Sequence, residues 1–128
     1  TKASTAQQAI AMLGIRPAKL FLMSAGVEHA IKASKSKLIN LQTFCLTNLE
    51  RALFAKAIAR RLRADGDLAY AASMLQDFLL PTLTNELFEI YFKYAQTPEN
   101  VRRPLVDYEK SALGWDHAFA TGQVLMGW

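Results

Sequence analysis

Apolar residues recur at three- and four-residue steps through the stretch 37–63, KLINLQTFCLTNLERALFAKAIARRLR. Leu38, Leu41, Cys45, Leu49, Ala52, Ala59 and Leu62 form one stripe, and Phe44, Leu46, Leu53, Phe54 and Ile58 widen it almost round the helix. The stretch has no Pro and no Gly, and its many Leu, Ala, Lys and Arg are good helix formers. A helix apolar over most of its circumference is buried by other helices rather than laid on one surface. The pattern therefore predicts a long central helix over about 38–63, with others packed round it. Asp65-Gly66-Asp67 stops it, and Asp67 is placed to cap the next helix.

The flanking segments carry the same period. Ser4 with Gln7, or Thr5 with Gln8, makes a capping box for a short helix over about 5–13, and Gly14 is placed to end it in a left-handed turn. Pro17 fits the first position of a second helix. Its stripe is Leu20, Met23, Val27, Ala30 and Ile31, and Gly26 is a candidate break. Lys32-Ala33-Ser34-Lys35-Ser36-Lys37 reads as a basic connector. After Asp67, the residues Leu68, Ala71, Ala72, Leu75, Phe78 and Leu79 make a stripe that Pro81 ends or kinks. A helix over about 84–95 follows, with Leu87, Ile90, Tyr91 and Tyr94 inward. The segment 96–103 reads as a loop. Pro104 opens a helix through Leu113 that Gly114 closes, and Asp116 caps a last helix from His117 to Met126. No convincing apolar–polar alternation occurs, so no sheet is expected. The fold class is all-α, one domain over residues 1–128.

At 128 residues with 52% hydrophobic side chains, the chain is long enough for one core. Its one cysteine, Cys45, forms no internal disulfide and reads as a small core residue. No stretch approaches the length of a transmembrane helix and no signal peptide stands out, so a cytoplasmic location away from membranes is the expectation. Charge is uneven. Residues 1–64 hold 11 Lys/Arg against 2 Asp/Glu, and residues 65–128 hold 4 against 9. A basic half suggests nucleic acid or an acidic partner. These charges are spread along helices without the aromatic interleaving of a single-strand binder, and a solvated face explains them better.

Few residues suggest chemistry. No GxxxxGK, GxGxxG, CxxC or GxSxG motif occurs. One Cys and two distant His, His29 and His117, are a poor zinc set. Two local pairs remain, Gln76-Asp77 within an apolar helical pattern and Asp116-His117 at a helix start. Asp77 and His117 could converge on a metal. Alternatively Asp77 caps or pairs with a helix end while Asp116 caps the helix that carries His117. The residues alone favour the second arrangement.

Glu109, Leu113-Gly114-Trp115-Asp116-His117-Ala118, Gly122, Leu125 and Trp128 resemble the "E…G.DHA..G..L..W" signature of HDOD domains, the HD-related output domains of bacterial signalling proteins. Ala71 to Phe78 resembles that family's "A..GLLHDIG" stretch, and Ala9-Ile10 through Leu13-Gly14 its "AI..LG" segment. Phe44 stands where the family often has Trp. The resemblance implies a helical bundle of the HD-domain type. It also implies that further helices flank this segment, so the chain is expected to be the central part of an HDOD domain from a longer protein.

The departures bear on activity. HD hydrolases bind metal through adjacent His and Asp. Here Gln76 stands at the His position, and a neutral amide is a poor substitute for imidazole. The family's first metal His would fall near Thr47 or Asn48. The vestigial positions Gln76, Asp77, Asp116 and His117 are too few for a metal-activated water. The expectation is a non-catalytic regulatory domain with no metal and no cofactor. It would act through a protein partner or an attached receiver or sensor domain. Two alternatives are a residual metal-dependent phosphohydrolase acting on a nucleotide or cyclic dinucleotide, and a nucleic-acid binder using Arg60, Arg61, Arg63 and the Lys32–Lys37 run. Arg60, Arg61, Arg63, Trp115 and Trp128 are candidate interaction residues.

Overall fold

The computed structural model describes residues 5–127. Helix α1 (Ala6–Leu13) starts where Thr5 Oγ1 accepts the Gln8 N–H at 3.2 Å. Ser4, the other candidate cap, lies outside the described residues. Gly14, at φ 87°, turns the chain through 120° into α2 (Ile15–Ala33). Pro17 lies in the first turn of α2, and the helix runs unbroken through Gly26. Helix α3 (Leu41–Arg61) is the long central helix, capped by Asn40 Oδ1 on the Thr43 N–H at 3.0 Å. It starts three residues later and ends two residues sooner than the sequence pattern suggests. Arg63 swings to φ 57°, and the Ala64 N–H closes back on the Ala59 carbonyl at 2.8 Å.

Asp65, not Asp67, caps α4 (Gly66–Leu75), accepting the Asp67 and Leu68 N–H groups at 2.9 and 3.0 Å. Asp67 instead pairs with Lys56 of α3 at 2.8 Å. Gly66 lets the two helices meet, since a Cβ there would stand 3.0 Å from Arg60 Cγ and 3.2 Å from the Lys56 carbonyl oxygen. The α3–α4 pair is the most extensive helix contact, and α2 lies against both. Val27, Ile31, Ala52, Tyr70 and Met74 form the core between them. Leu20, Met23, Leu41, Phe44, Cys45, Leu75 and Phe78 pack round it half-buried.

The covering of α3 differs from the sequence expectation. Only the face carrying Asn48, Ala52 and Ala59 is buried. Leu46, Leu53, Phe54, Ile58 and Leu62 are exposed, Phe54 by 68% and Leu62 by 74%. Two helices on one side cannot cover a full circumference, so the wide apolar stripe faces outward. In α4 the buried pair is Tyr70 and Met74, while Leu68 points out.

The chain then turns at 76–79 into α5 (Leu80–Glu86), with Pro81 in its first turn. Leu87 breaks from helical geometry before α6 (Phe88–Gln96), so one expected helix is two. The expected loop holds a 3₁₀ turn at Pro98–Arg102. Helix α7 (Leu105–Leu113) ends at Gly114 in the left-handed conformation, φ 80°, and α8 (His117–Met126) follows. No strand occurs among the described residues, and the fold is all-α. No single helix among them is long and apolar enough to cross a membrane; the bent α1–α2 pair passes that test only on length and composition.

Two glycine substitutions should move stability in opposite directions. Gly26 lies in a helix interior with open space at its Cβ position, so Gly26→Ala should stabilise by about 0.5–1 kcal/mol. Gly66→Ala has to push Arg60 and the α3 backbone aside and should cost about 1 kcal/mol. Urea melts of the two variants read both signs.

Candidate functional site

The site grows from a carboxylate placed where an apolar residue belongs. Leu105, Glu109 and Leu113 share one face of α7 at four-residue spacing. Glu109 is fully buried. A buried carboxylate is costly unless it is paired and hydrogen-bonded. Its Oε1 accepts the Tyr91 hydroxyl of α6 at 2.7 Å. The left-handed turn at Gly114 folds α8 back so that Oε2 accepts both the backbone N–H and the Nδ1–H of His117, at 3.1 and 2.7 Å.

His117 is the first residue of α8. Asp116 caps that helix, with Oδ1 accepting the Phe119 N–H at 2.8 Å and Oδ2 lying 3.2 Å from Lys110 Nζ. A cation at a helix N-terminus opposes the helix dipole, so a charged His117 needs anions close by. It has two. Its Nε2 lies 3.3 Å from Asp77 Oδ1 in the turn after α4. The other Asp77 oxygen, Oδ2, takes Arg51 of α3 at 2.5 Å. A single row, Arg51–Asp77–His117–Glu109–Tyr91, thus runs across α3, the 76–79 turn, α8, α7 and α6.

The titration behaviour follows from that row. The His117 imidazole is pushed up to about 9, mainly by the hydrogen bond to Asp77, with Glu109 adding to it and burial opposing it. The ring is therefore a cation at neutral pH. Asp77 is held below the usual carboxylate range, chiefly by His117 and then by Arg51. Burial and the Glu109 hydrogen bond push the Tyr91 phenol up, so it stays a donor. Asp116 is lowered by the Phe119 N–H and by Lys110.

The arrangement fits a metal poorly. A ligating imidazole must be neutral with a free ring nitrogen, whereas both nitrogens of His117 face carboxylates. Arg51 covers one oxygen of Asp77. Among the described residues no group of three or more His, Cys, Asp or Glu is placed to hold a metal ion. The row can fix helices and hold charge, and it offers no vacant lone pair converging with others on one point.

The candidate positions separate. Gln76 and Asp77 do not lie within a helix interior: α4 ends at Leu75 and Gln76 is its C-cap, so both belong to the turn. Gln76 is exposed, with Nε2 at 3.5 Å from Asp77 Oδ2. Asp77 and His117 do come together, joined by a contact that spans 40 residues of chain. Asn48 is wholly buried in α3, and Thr47 is half-buried. Arg60, Arg61 and Arg63 are exposed at the end of α3, Trp115 is half-buried, and Trp128 lies outside the described residues. Sequence reasoning placed Glu109 in the family signature and Tyr91 on an inward helix face, without joining either to His117, and gave Arg51 no role. The readable signal was Glu109, a carboxylate midway along an apolar stripe.

The described residues form an all-helical fold with a charged polar row at the start of the last helix. The sequence model of the HDOD domain matches residues 1–128, and the chain belongs to that family. The family is signalling-associated and HD-related. No curated protein and no solved structure matches the chain.

The raised His117 value sets a pH dependence. Its stabilisation is fully present below the unfolded value of about 6.5 and is lost as pH rises through about 9. Asp77, being lowered, contributes above its unfolded value of 3.8 and loses that as pH falls. The melting temperature should therefore be highest between about 5 and 6.5 and should decline from 6.5 to 9. In His117→Asn that alkaline slope should flatten, which thermal melts across the range will read.

Proposed function

We propose that this domain is a non-catalytic regulatory module of bacterial signalling that works by contact with a protein partner or an attached receiver or sensor domain. The observation that carries this reading is the internal use of the site. Both nitrogens of His117 and both oxygens of Asp77 are spent on neighbouring side chains. Phosphodiester hydrolysis asks for a metal-activated water, and these groups are turned inward to each other. The apolar residues that α3 leaves outward, among them Leu53, Phe54 and Ile58, supply surface that a protein partner would bury. A cytoplasmic setting is part of the same proposal.

In this reading His117 is structural. His117→Ala leaves Glu109 buried without its cation, a loss of about 3–5 kcal/mol. No hydrolytic activity should be lost with it, because none should be present. The test is hydrolysis of a panel of nucleotides and cyclic dinucleotides by the intact chain with Mn, Fe or Mg supplied. Turnover that requires metal and disappears in Asp77→Asn would overturn the proposal. So would an unchanged melting temperature in His117→Ala, since it would remove the structural role.

A further inference from the structure

Helices α2, α3 and α4 leave a pocket of about 200 Å³ between them. Its lining is mainly aliphatic, with Val27, Ile31, Leu49 and Met74 prominent. An apolar cavity of roughly 150 Å³ is enough to take benzene. Size alone therefore suits a one-ring molecule.

The second observation is Asn48, which also lines the pocket. Its side chain is wholly buried, and neither Nδ2 nor Oδ1 has a hydrogen-bond partner among the described residues. A buried donor and acceptor left unpaired cost on the order of 1–3 kcal/mol each. Of the other polar groups round the pocket, the Gln42 amide is exposed to water, and Ser24, Glu28 and Lys32 are paired. Ser24 Oγ is shared between the Leu20 carbonyl, at 2.8 Å, and the Tyr70 hydroxyl, at 2.7 Å. Glu28 and Lys32 at the mouth are bonded to each other and cancel in charge.

We infer that this pocket binds a small, neutral, largely apolar molecule carrying a hydrogen-bond donor and acceptor side by side, as in a primary or cyclic amide, with Asn48 as its polar anchor. A carboxamide presents the complement of its own edge, donor to acceptor and acceptor to donor. A charged ligand would meet aliphatic walls and no counter-ion free to receive it. The Asn48 amide is closed off from bulk water, so a wall side chain yields by a rotamer step on binding. Met74, unbranched and adaptable, is the lining residue suited to that. The inference stands apart from the signalling proposal, which does not require a ligand.

Cys45 provides the readout, because it is the only cysteine of the chain and it lines this pocket. Its rate of reaction with a thiol reagent such as DTNB reports whether the pocket is filled. Benzamide should slow that reaction saturably. Benzoate and N,N-dimethylbenzamide, which lack the neutral donor–acceptor edge, should bind roughly tenfold more weakly. Asn48→Leu, which removes both unpaired atoms, should stay folded and lose the protection. The inference is overturned if benzamide gives no protection, or protects wild type and Asn48→Leu equally. If Asn48→Leu does not fold, the wild-type comparison decides: equal protection by benzamide and its dimethyl derivative rejects the anchor, and a tenfold difference supports it.

Discussion

Glu109 is the constraint on which the second half of the molecule depends. A carboxylate with no exposure must find donors, and it finds three in Tyr91 and the two N–H groups of His117. To supply them, α6, α7 and α8 must converge at one point. The left-handed turn at Gly114 is the backbone condition for this, because it brings the start of α8 under the middle of α7. His117 is then a cation at a helix N-terminus, and Asp77 and Arg51 follow as its balance. Each group is tolerable only because the next is present. Removing a member exposes the desolvation cost of its neighbour, so the row ties α8 to the turn after α4 more firmly than its few apolar contacts would.

The first half is held differently. There, small residues set the geometry. Ala52, Ala59 and Gly66 allow α4 to lie close along α3, while Tyr70 and Met74 fill the space toward α2. This packing is one-sided. It leaves the broad apolar face of α3 outward and strands the Asn48 amide inside. The two halves thus divide the work: one presents surface and a pocket, and the other is locked by charge. On the signalling role proposed above, the outward apolar face of the longest helix is the surface a protein partner would bury.

Much of this was legible in the sequence, for local reasons. Helix existence follows from apolar period, and the breaks follow from Gly14, Gly114 and the prolines. Asp116 as a cap follows from residue type and position. The family follows from the ordered segments between Ala9 and Trp128. What the sequence concealed depends on neighbours in space. A wide apolar stripe says that α3 is apolar all round and does not say how many helices cover it. The rotation of α4 that buries Tyr70 instead of Leu68 is set by the close approach at Gly66 and cannot be read from period alone. Asp77 and His117 could be suspected as a pair, and Glu109 stands in the same signature as His117, but Arg51 and Tyr91 join them only through contacts made on folding. A glutamate at the centre of a helix face is the trace such a row leaves in one dimension.

The separation of partners along the chain has a kinetic consequence. The α3–α4 pair joins segments adjacent in sequence, whereas Asp77 meets His117 across 40 residues and Ser36 meets Thr84 across 48. Local helix pairs close their loops cheaply, and distant contacts wait for them. Loop-closure entropy alone places the charged row after the local α3–α4 pair in the order of folding. Interactions absent from the transition state act on the rate of opening and leave the rate of closing almost untouched. A row that forms late is the domain's latch in time as well as in space, governing how long a folded molecule stays folded.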